Sequence, residues 1–429
     1  MEQLVLLTPF HKGPHLPDKK NTSGTFADNM HLPIHRWFRY SAGFSAEWVH
    51  SVIRKYRPRS VLDPFAGSGT TLLAAQQECT KSYGFEAHPF ITRIANAKLS
   101  WNFPIKEFLS LAEEVLEQAQ QLDIDISGES LLVQKCYTKD SLKKLCSLRD
   151  CFLLIKEEIP TPAREMIWLA ITTILRPCSS VGTAQWQYVL PTKSKARVGE
   201  PFAAYRTKIG DMAADMQHFQ FAATSSAHLI EHDARQPLDC LDATIDLVIT
   251  SPPYPNNYDY GDSTRLEMCF WHEINGWSDL QEVVRRHLIR SCSQHSSAQK
   301  LKLGNILTDP LLAPIQADLA EICHSLEKER LSHVGRKAYH TMVAAYFADL
   351  AAVFCSLRAA CRPGAKMCFV IGDSAPYGIY VPVDEFLGRL ALAAGFHKYS
   401  FEKIRDRNIK WKNRKHRVPL KEGRLWIEG

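Results

Sequence analysis

The sequence predicts a doubly wound, Rossmann-like α/β fold interrupted by a largely helical insertion. Three observations predict it. The apolar run Ser60-Val61-Leu62 leads into Asp63-Pro64-Phe65-Ala66-Gly67-Ser68-Gly69-Thr70-Thr71 and then into the helix-compatible stretch Leu72–Gln77. A second run, Tyr83-Gly84-Phe85-Glu86, ends in an acid. A third, Ile245–Thr250, ends in Ser251-Pro252-Pro253-Tyr254. Strand, tight turn, helix and strand in succession is the pattern of a parallel sheet with helical crossovers.

The glycine loop comes first. Gly67 and Gly69 permit positive φ and close backbone approach to a ligand. Thr70 and Thr71 stand where a helix N-cap is expected, so free N–H groups face the loop and suit a carboxylate. Glu86 lies 17 residues beyond Gly69, near where such folds place an acid on a ribose diol. No lysine follows the glycines, which argues against a nucleoside triphosphate, and Leu72 replaces the third glycine of a dinucleotide fingerprint.

The proline loop comes next. Ile245–Thr250 reads as a buried parallel strand, and ligands of open α/β sheets bind beyond the carboxyl ends of strands. Pro252 and Pro253 stiffen the backbone and remove two donors. A fixed carbonyl, the Ser251 hydroxyl and the Tyr254 ring remain. Those groups suit a planar amine, whose N–H bonds two acceptors can hold while an aromatic ring stacks on its base.

With these residues, the chain resembles the DNA amino-methyltransferases, which make N4-methylcytosine and N6-methyladenine. The resemblance implies S-adenosylmethionine as cofactor. It implies cofactor contacts from Asp63, Pro64, Phe65, Gly67, Gly69 and Thr70, a ribose contact from Glu86, and Asp233 beside the adenine ring. It makes Ser251, Pro252, Pro253 and Tyr254 the catalytic pocket. The Thr-Ser-Pro-Pro-Tyr form is typical of the family's cytosine branch, and adenine enzymes usually carry Asp or Asn before the prolines. Upstream, His35 to Ser45 resembles the family's N-terminal cofactor motif, which adds Phe44 and Ser45. The recognisable parts span 35–100, 227–272 and 339–429. No target-recognition domain fits between the third and fourth strands, so the element that reads DNA stays open between two insertions.

The expected organisation is an N-terminal arm over 1–34 and a catalytic domain over 35–100 and 227–429. Residues 101–226 form the insertion and a possible target-recognition region. Residues 275–335 are a possible DNA-contacting loop, with Arg285, Arg286 and Arg290 near its start. Phe108–Leu116 and Trp168–Leu175 read as helices, and Trp186–Lys208 as an aromatic, basic, groove-facing loop. A helix near 339–361, a strand over Lys366–Gly372, a helix near 382–394 and strands near 397–405 and 424–428 complete the sheet.

Composition sets bounds. The 429 residues, 45% hydrophobic and 23% charged, are ordinary for a globular protein. No signal peptide is expected, and no apolar run approaches the roughly 20 residues of a membrane span; the expected location is cytoplasmic, without membrane contact. The twelve cysteines include no Cys-x-x-Cys pair, so no zinc ribbon and no metal is assigned. Cys355 and Cys368 read as reduced core residues. The formal charge is +6, yet residues 403–417 hold eight basic side chains against Asp406 alone. Lys410, Lys412, Arg414 and Lys415 are the candidate phosphate contacts.

The expected reaction is methyl transfer from S-adenosylmethionine to the amino group of cytosine in double-stranded DNA, on a flipped base. Restriction or defence proteins are expected partners. Adenine methylation, RNA base methylation and a non-catalytic nucleic-acid-binding role are the alternatives.

Overall fold

The computed structural model describes residues 26–429, apart from 41–42, 184–188, 221–224, 239–240, 242, 257, 299–300 and 408–417. Its main strands are β1 (Ser60–Asp63), β2 (Lys81–Glu86), β5 (Ala227–Glu231), β6 (Ile245–Thr250), β7 (Cys361–Gly372), β8 (Lys398–Arg407) and β9 (Leu420–Glu428). A separate hairpin is formed by β3 (Val181–Thr183) and β4 (Val189–Ser194). The main sheet runs β5-β2-β1-β6-β7-β9-β8. Pairing is parallel from β5 through β7, and β9 lies antiparallel between β7 and β8. Chain order therefore reverses between β1 and β6, and the crevice at that reversal is where such sheets bind ligands.

Side chains alternate across the sheet with period two. Val61, Leu247, Ile249, Cys368 and Val370 face α1 (Ala46–Tyr56) and α2 (Thr70–Gln77). Leu62, Val248, Met367, Phe369 and Ile371 face the opposite layer. The apolar helix Tyr339–Ala360 lies at its centre and is mostly buried. That helix corrects one expectation. By length and composition it passes for a membrane span, but most of it is enclosed by protein. A run this apolar becomes a core helix when both flanks are packed.

The insertion follows α3 (Pro89–Leu99). Its long helices, Ile105–Gln121, Lys139–Ile155, Thr161–Cys178 and Pro201–Phe219, share one core with α3 and with Leu266–Leu288. Asp215 in the last of them accepts hydrogen bonds from the Ile34 backbone N–H, the Arg36 guanidinium and Trp37 Nε1. The insertion thus grips the chain just before Tyr40.

Other expectations need correction. Trp186–Lys208 is no open loop where described, because β4 and the start of the helix Pro201–Phe219 occupy much of it. Cys355 is exposed rather than buried, whereas Cys368 is in the core. Arg285 and Arg290 do not face outward as mobile DNA contacts. Arg285 is buried on Asp259, and Arg290 binds Asp349. Arg286 does sit at the surface, where it pairs with Glu282. Lys410, Lys412, Arg414 and Lys415 lie outside the described residues.

Candidate active site

The cleft at the sheet reversal is built by both loops. Pro64, Phe65, Ala66, Gly67, Ser68 and Thr70 line it from the glycine loop. Glu86 and His88 line it from the end of β2, and Ser251 and Pro253 from the proline loop. Its remaining walls include Tyr40, Phe44, His232, Asp233, Tyr260 and Ile289. About 790 Å³ of space lies within it, open mouth included.

Gly69, at φ 87°, is the N-cap of α2, one position before the expected threonines. The turn tightens at Gly67, φ 51°, whose backbone N–H donates to Glu86 at 2.9 Å. A Cβ there would meet the Tyr40 ring at 2.9 Å. Gly67 is therefore required for its φ and for the approach of Tyr40.

Asp63 does not line the cleft. It is fully buried behind the loop, where it accepts from Thr71 Oγ1 at 2.7 Å, Thr250 Oγ1 at 2.6 Å and the Phe65 N–H at 3.1 Å. Burial pushes its carboxyl up to about 6 against these three donors. It ties the glycine loop to the strand that carries the proline loop. Gly69 also stands outside the lining, as the helix cap. Ser45 caps α1 through the Trp48 N–H, while its neighbour Phe44 does line the cleft.

Glu86 is at the cleft as expected. Its two oxygens accept from the Gly67 and His88 N–H groups, each at 2.9 Å. Burial, reinforced by the Asp63 charge, pushes it up to about 7 against those donors. Asp233 also lines the cleft, but both its oxygens are forked by Arg235. Arg235 in turn reaches Asp349 and the His287 carbonyl. No local pattern marks Arg235, because its partners are spread over more than 100 residues.

Ser251 Oγ donates to the Val370 carbonyl at 3.1 Å, which fixes the hydroxyl and leaves its oxygen lone pairs for an incoming N–H. Pro252 is buried beneath it. Tyr254 stands beside the cleft lining, with the Arg407 guanidinium 5.1 Å from its ring centre. Burial raises the Tyr254 hydroxyl well above its ordinary range, so it stays protonated at neutral pH.

The lining fits a nucleoside carrying an amino-acid end. Three buried polar atoms of residues that line it, Ser68 Oγ, His88 Nδ1 and His232 Nε2, have no hydrogen-bond partner among the described residues. Buried polar atoms ordinarily have one. The α2 N-terminus offers free N–H groups, and Glu86 keeps lone pairs for a diol. Tyr40 and His88 are not singled out by the sequence, although Tyr40 stands within the upstream motif His35 to Ser45; Tyr260, in the stretch that continues the proline loop, does line the cleft.

Fold and site together give a doubly wound α/β sheet with the glycine loop and the proline loop at one cleft. Comparison with known proteins finds relatives. Residues 11–97 match the N6/N4 DNA methylase family model. The chain is 26% identical to the type II methyltransferase M.BsoBI of Geobacillus stearothermophilus, over 89% of this chain and 82% of that protein. It is 25% identical to the type II methyltransferase M.AvaI of a Nostoc species, over 87% and 81%. These matches support a likeness to the N4/N6 amino-methyltransferase family of DNA methylases.

Proposed function

We propose that this protein methylates the N4 amino group of cytosine at a defined site in double-stranded DNA, with S-adenosylmethionine as donor. One observation carries the reading. Ser251 and Pro253 wall the same cleft as Phe65, Gly67 and Glu86, so an amine held by the proline loop meets a cofactor held by the glycine loop. The cytosine choice rests on Ser251 standing where adenine enzymes of the family usually carry Asp or Asn.

When bound, S-adenosylmethionine supplies a methyl group on an electrophilic sulfonium. The protein's own contribution is positional. Phe65, Ser68 and the α2 N-terminus hold the amino-acid end, and Glu86 accepts from the ribose hydroxyls. Ser251 Oγ and the Pro252 carbonyl accept the two amine N–H bonds, and Tyr254 stacks on the base. Stacking requires the base to leave the duplex. The methylated amine is acidic, so it can lose its proton to solvent without a dedicated base.

The β3–β4 hairpin is the element we assign to reading DNA within the insertion. A two-stranded ribbon fits the major groove. It is fastened beside the proline loop: Lys195 Nζ donates to the Arg176 carbonyl, and Arg176 binds Glu267 and the Ser263 carbonyl. Lys193 and Arg197 are exposed and have no ion-pair partner among the described residues.

Mass spectrometry of digested DNA after reaction tests the function. N4-methylcytosine without methyladenine is expected. Methyladenine alone would overturn the base assignment, and no methylated DNA base would overturn the reading itself.

A further inference from the structure

The segment beyond the proline loop gathers side chains that methyl transfer does not use. Asp259, Cys292 and His295 each present a ligand-type atom, and these atoms lie within 4.8 Å of one another. All three residues are buried, His295 completely. Among the described residues, neither ring nitrogen of His295 has a hydrogen-bond partner, which protein interiors rarely tolerate. Its Nε2 stands 3.6 Å from Asp259 Oδ1. That is too far for a hydrogen bond, yet close to the roughly 3.3–3.5 Å between two donors on one tetrahedral ion.

We propose that Asp259, Cys292 and His295 bind one divalent ion of the zinc class. Three atoms no more than 4.8 Å apart lie within about 2.8 Å of a common point, and ligand bonds of about 2.0–2.3 Å need only a small contraction. The donor set is one sulfur, one imidazole nitrogen and one carboxylate oxygen, which selects zinc over magnesium or calcium. The fourth position of the tetrahedron belongs to water. On binding, the Cys292 thiol loses its proton to solvent and the sulfur–metal bond forms; nothing is oxidised or reduced.

Arg285 belongs to this arrangement rather than competing with it. Its Nε and Nη2 bind Asp259 Oδ2 at 3.0 and 2.6 Å, while Oδ1, on the His295 side, accepts the longer Asp262 N–H bond at 3.2 Å. Outer hydrogen bonds of this kind orient ligating carboxylates. Asp259 follows Tyr254 by five residues, and Cys292 and His295 follow Leu288 and Ile289, which line the cleft. A bound ion would pin the proline loop to the segment that covers the cofactor space. No step of methyl transfer passes through it.

The test uses the full chain, purified without a polyhistidine tag. Elemental mass spectrometry should find near-stoichiometric zinc after dialysis. Stripped protein titrated with cobalt(II) should develop tetrahedral visible bands and a near-ultraviolet thiolate-to-cobalt absorption. Cys292→Ser should abolish the thiolate absorption, and His295→Gln should weaken cobalt affinity at least about tenfold. Cobalt uptake without the thiolate band, or no uptake at all, overturns the site, and the wild-type spectrum decides this even if a variant fails to fold. Cys292→Ser with an unchanged spectrum overturns it as well. None of these readouts depends on which base is methylated.

Discussion

The two loops that wall the cleft are built in opposite ways. The glycine loop is closed almost entirely by its neighbours in sequence: its cap is Gly69, and its N–H groups fall on Asp63 and on Glu86 at the end of the next strand. The proline loop is held from far away. Ser251 leans on Val370, Pro255 on Ser374, Tyr254 under Arg407 and Asp259 on Arg285. Asp63 joins the two, taking Thr71 from one and Thr250 from the other. A loop that must fit a constant cofactor can be encoded locally. One that must accept a base from outside is braced by the rest of the domain.

The largest expected effect breaks the local loop. Gly67→Val puts a branched side chain at φ 51° and into the Tyr40 ring. Strain of this kind costs about 1–3 kcal/mol before the clash is counted, so cofactor affinity should fall roughly 100-fold or more by calorimetry. Adding Tyr40→Ala should recover only part of it, because the backbone strain remains. Wild-type affinity in Gly67→Val would remove the glycine loop from the cofactor site.

The proline loop should fail differently. Tyr254→Ala should lose about 1–3 kcal/mol of stacking, roughly 5- to 150-fold in turnover. Cofactor affinity should stay near wild type, since Tyr254 stands outside the cleft lining. A parallel loss of cofactor affinity would mean that the two loops are not separable.

Smaller effects come from Glu86. Its folded value, about 7, is raised above the ordinary 4.5 by burial. Protonation therefore favours the folded, unliganded protein. That contribution is full below about pH 4.5 and is lost as pH rises through about 7. Ribose binding runs the other way, because the ionised carboxylate is the better acceptor. Cofactor affinity should rise a few-fold between about pH 6 and 8. Glu86→Gln should flatten both the affinity profile and the melting-temperature difference across that range. A profile unchanged in Glu86→Gln would assign the titration elsewhere.

The smallest effect concerns the hairpin. Lys193→Ala with Arg197→Ala should reduce the salt dependence of DNA binding by a slope of about 0.9 for each phosphate no longer neutralised. Cofactor affinity should not change. An unaltered slope would leave the hairpin a solvated surface.

The legible parts of the molecule were those whose partners are near in sequence. β1, α2, β2 and β6 follow from apolar runs punctuated by glycine and proline, and Glu86 from its place at the end of β2. Asp63 was legible as part of the loop but not as a buried brace, because that role needs Thr250, 187 residues away. Asp233 was placed at the cleft, while its fork with Arg235 was invisible. The arginines at 285 and 290 read as part of a DNA-contacting loop. Asp259 and Asp349, the acids that bury them, lie 26 and 59 residues distant.

By itself the sequence determined the succession of strands and helices around the glycine loop, the proline loop, and their meeting at one end of the sheet. These follow from hydrophobic period, φ restrictions at Gly and Pro, and acids at strand ends, all of which act over a few residues. Only the tertiary structure decided which charged groups reach the cleft and which are occupied in holding it. It also decided that the apolar helix Tyr339–Ala360 is core, and that Asp259, Cys292 and His295 converge. A charge or ligand atom acts through distance in space, and folding brings together atoms that no spacing along the chain foretells.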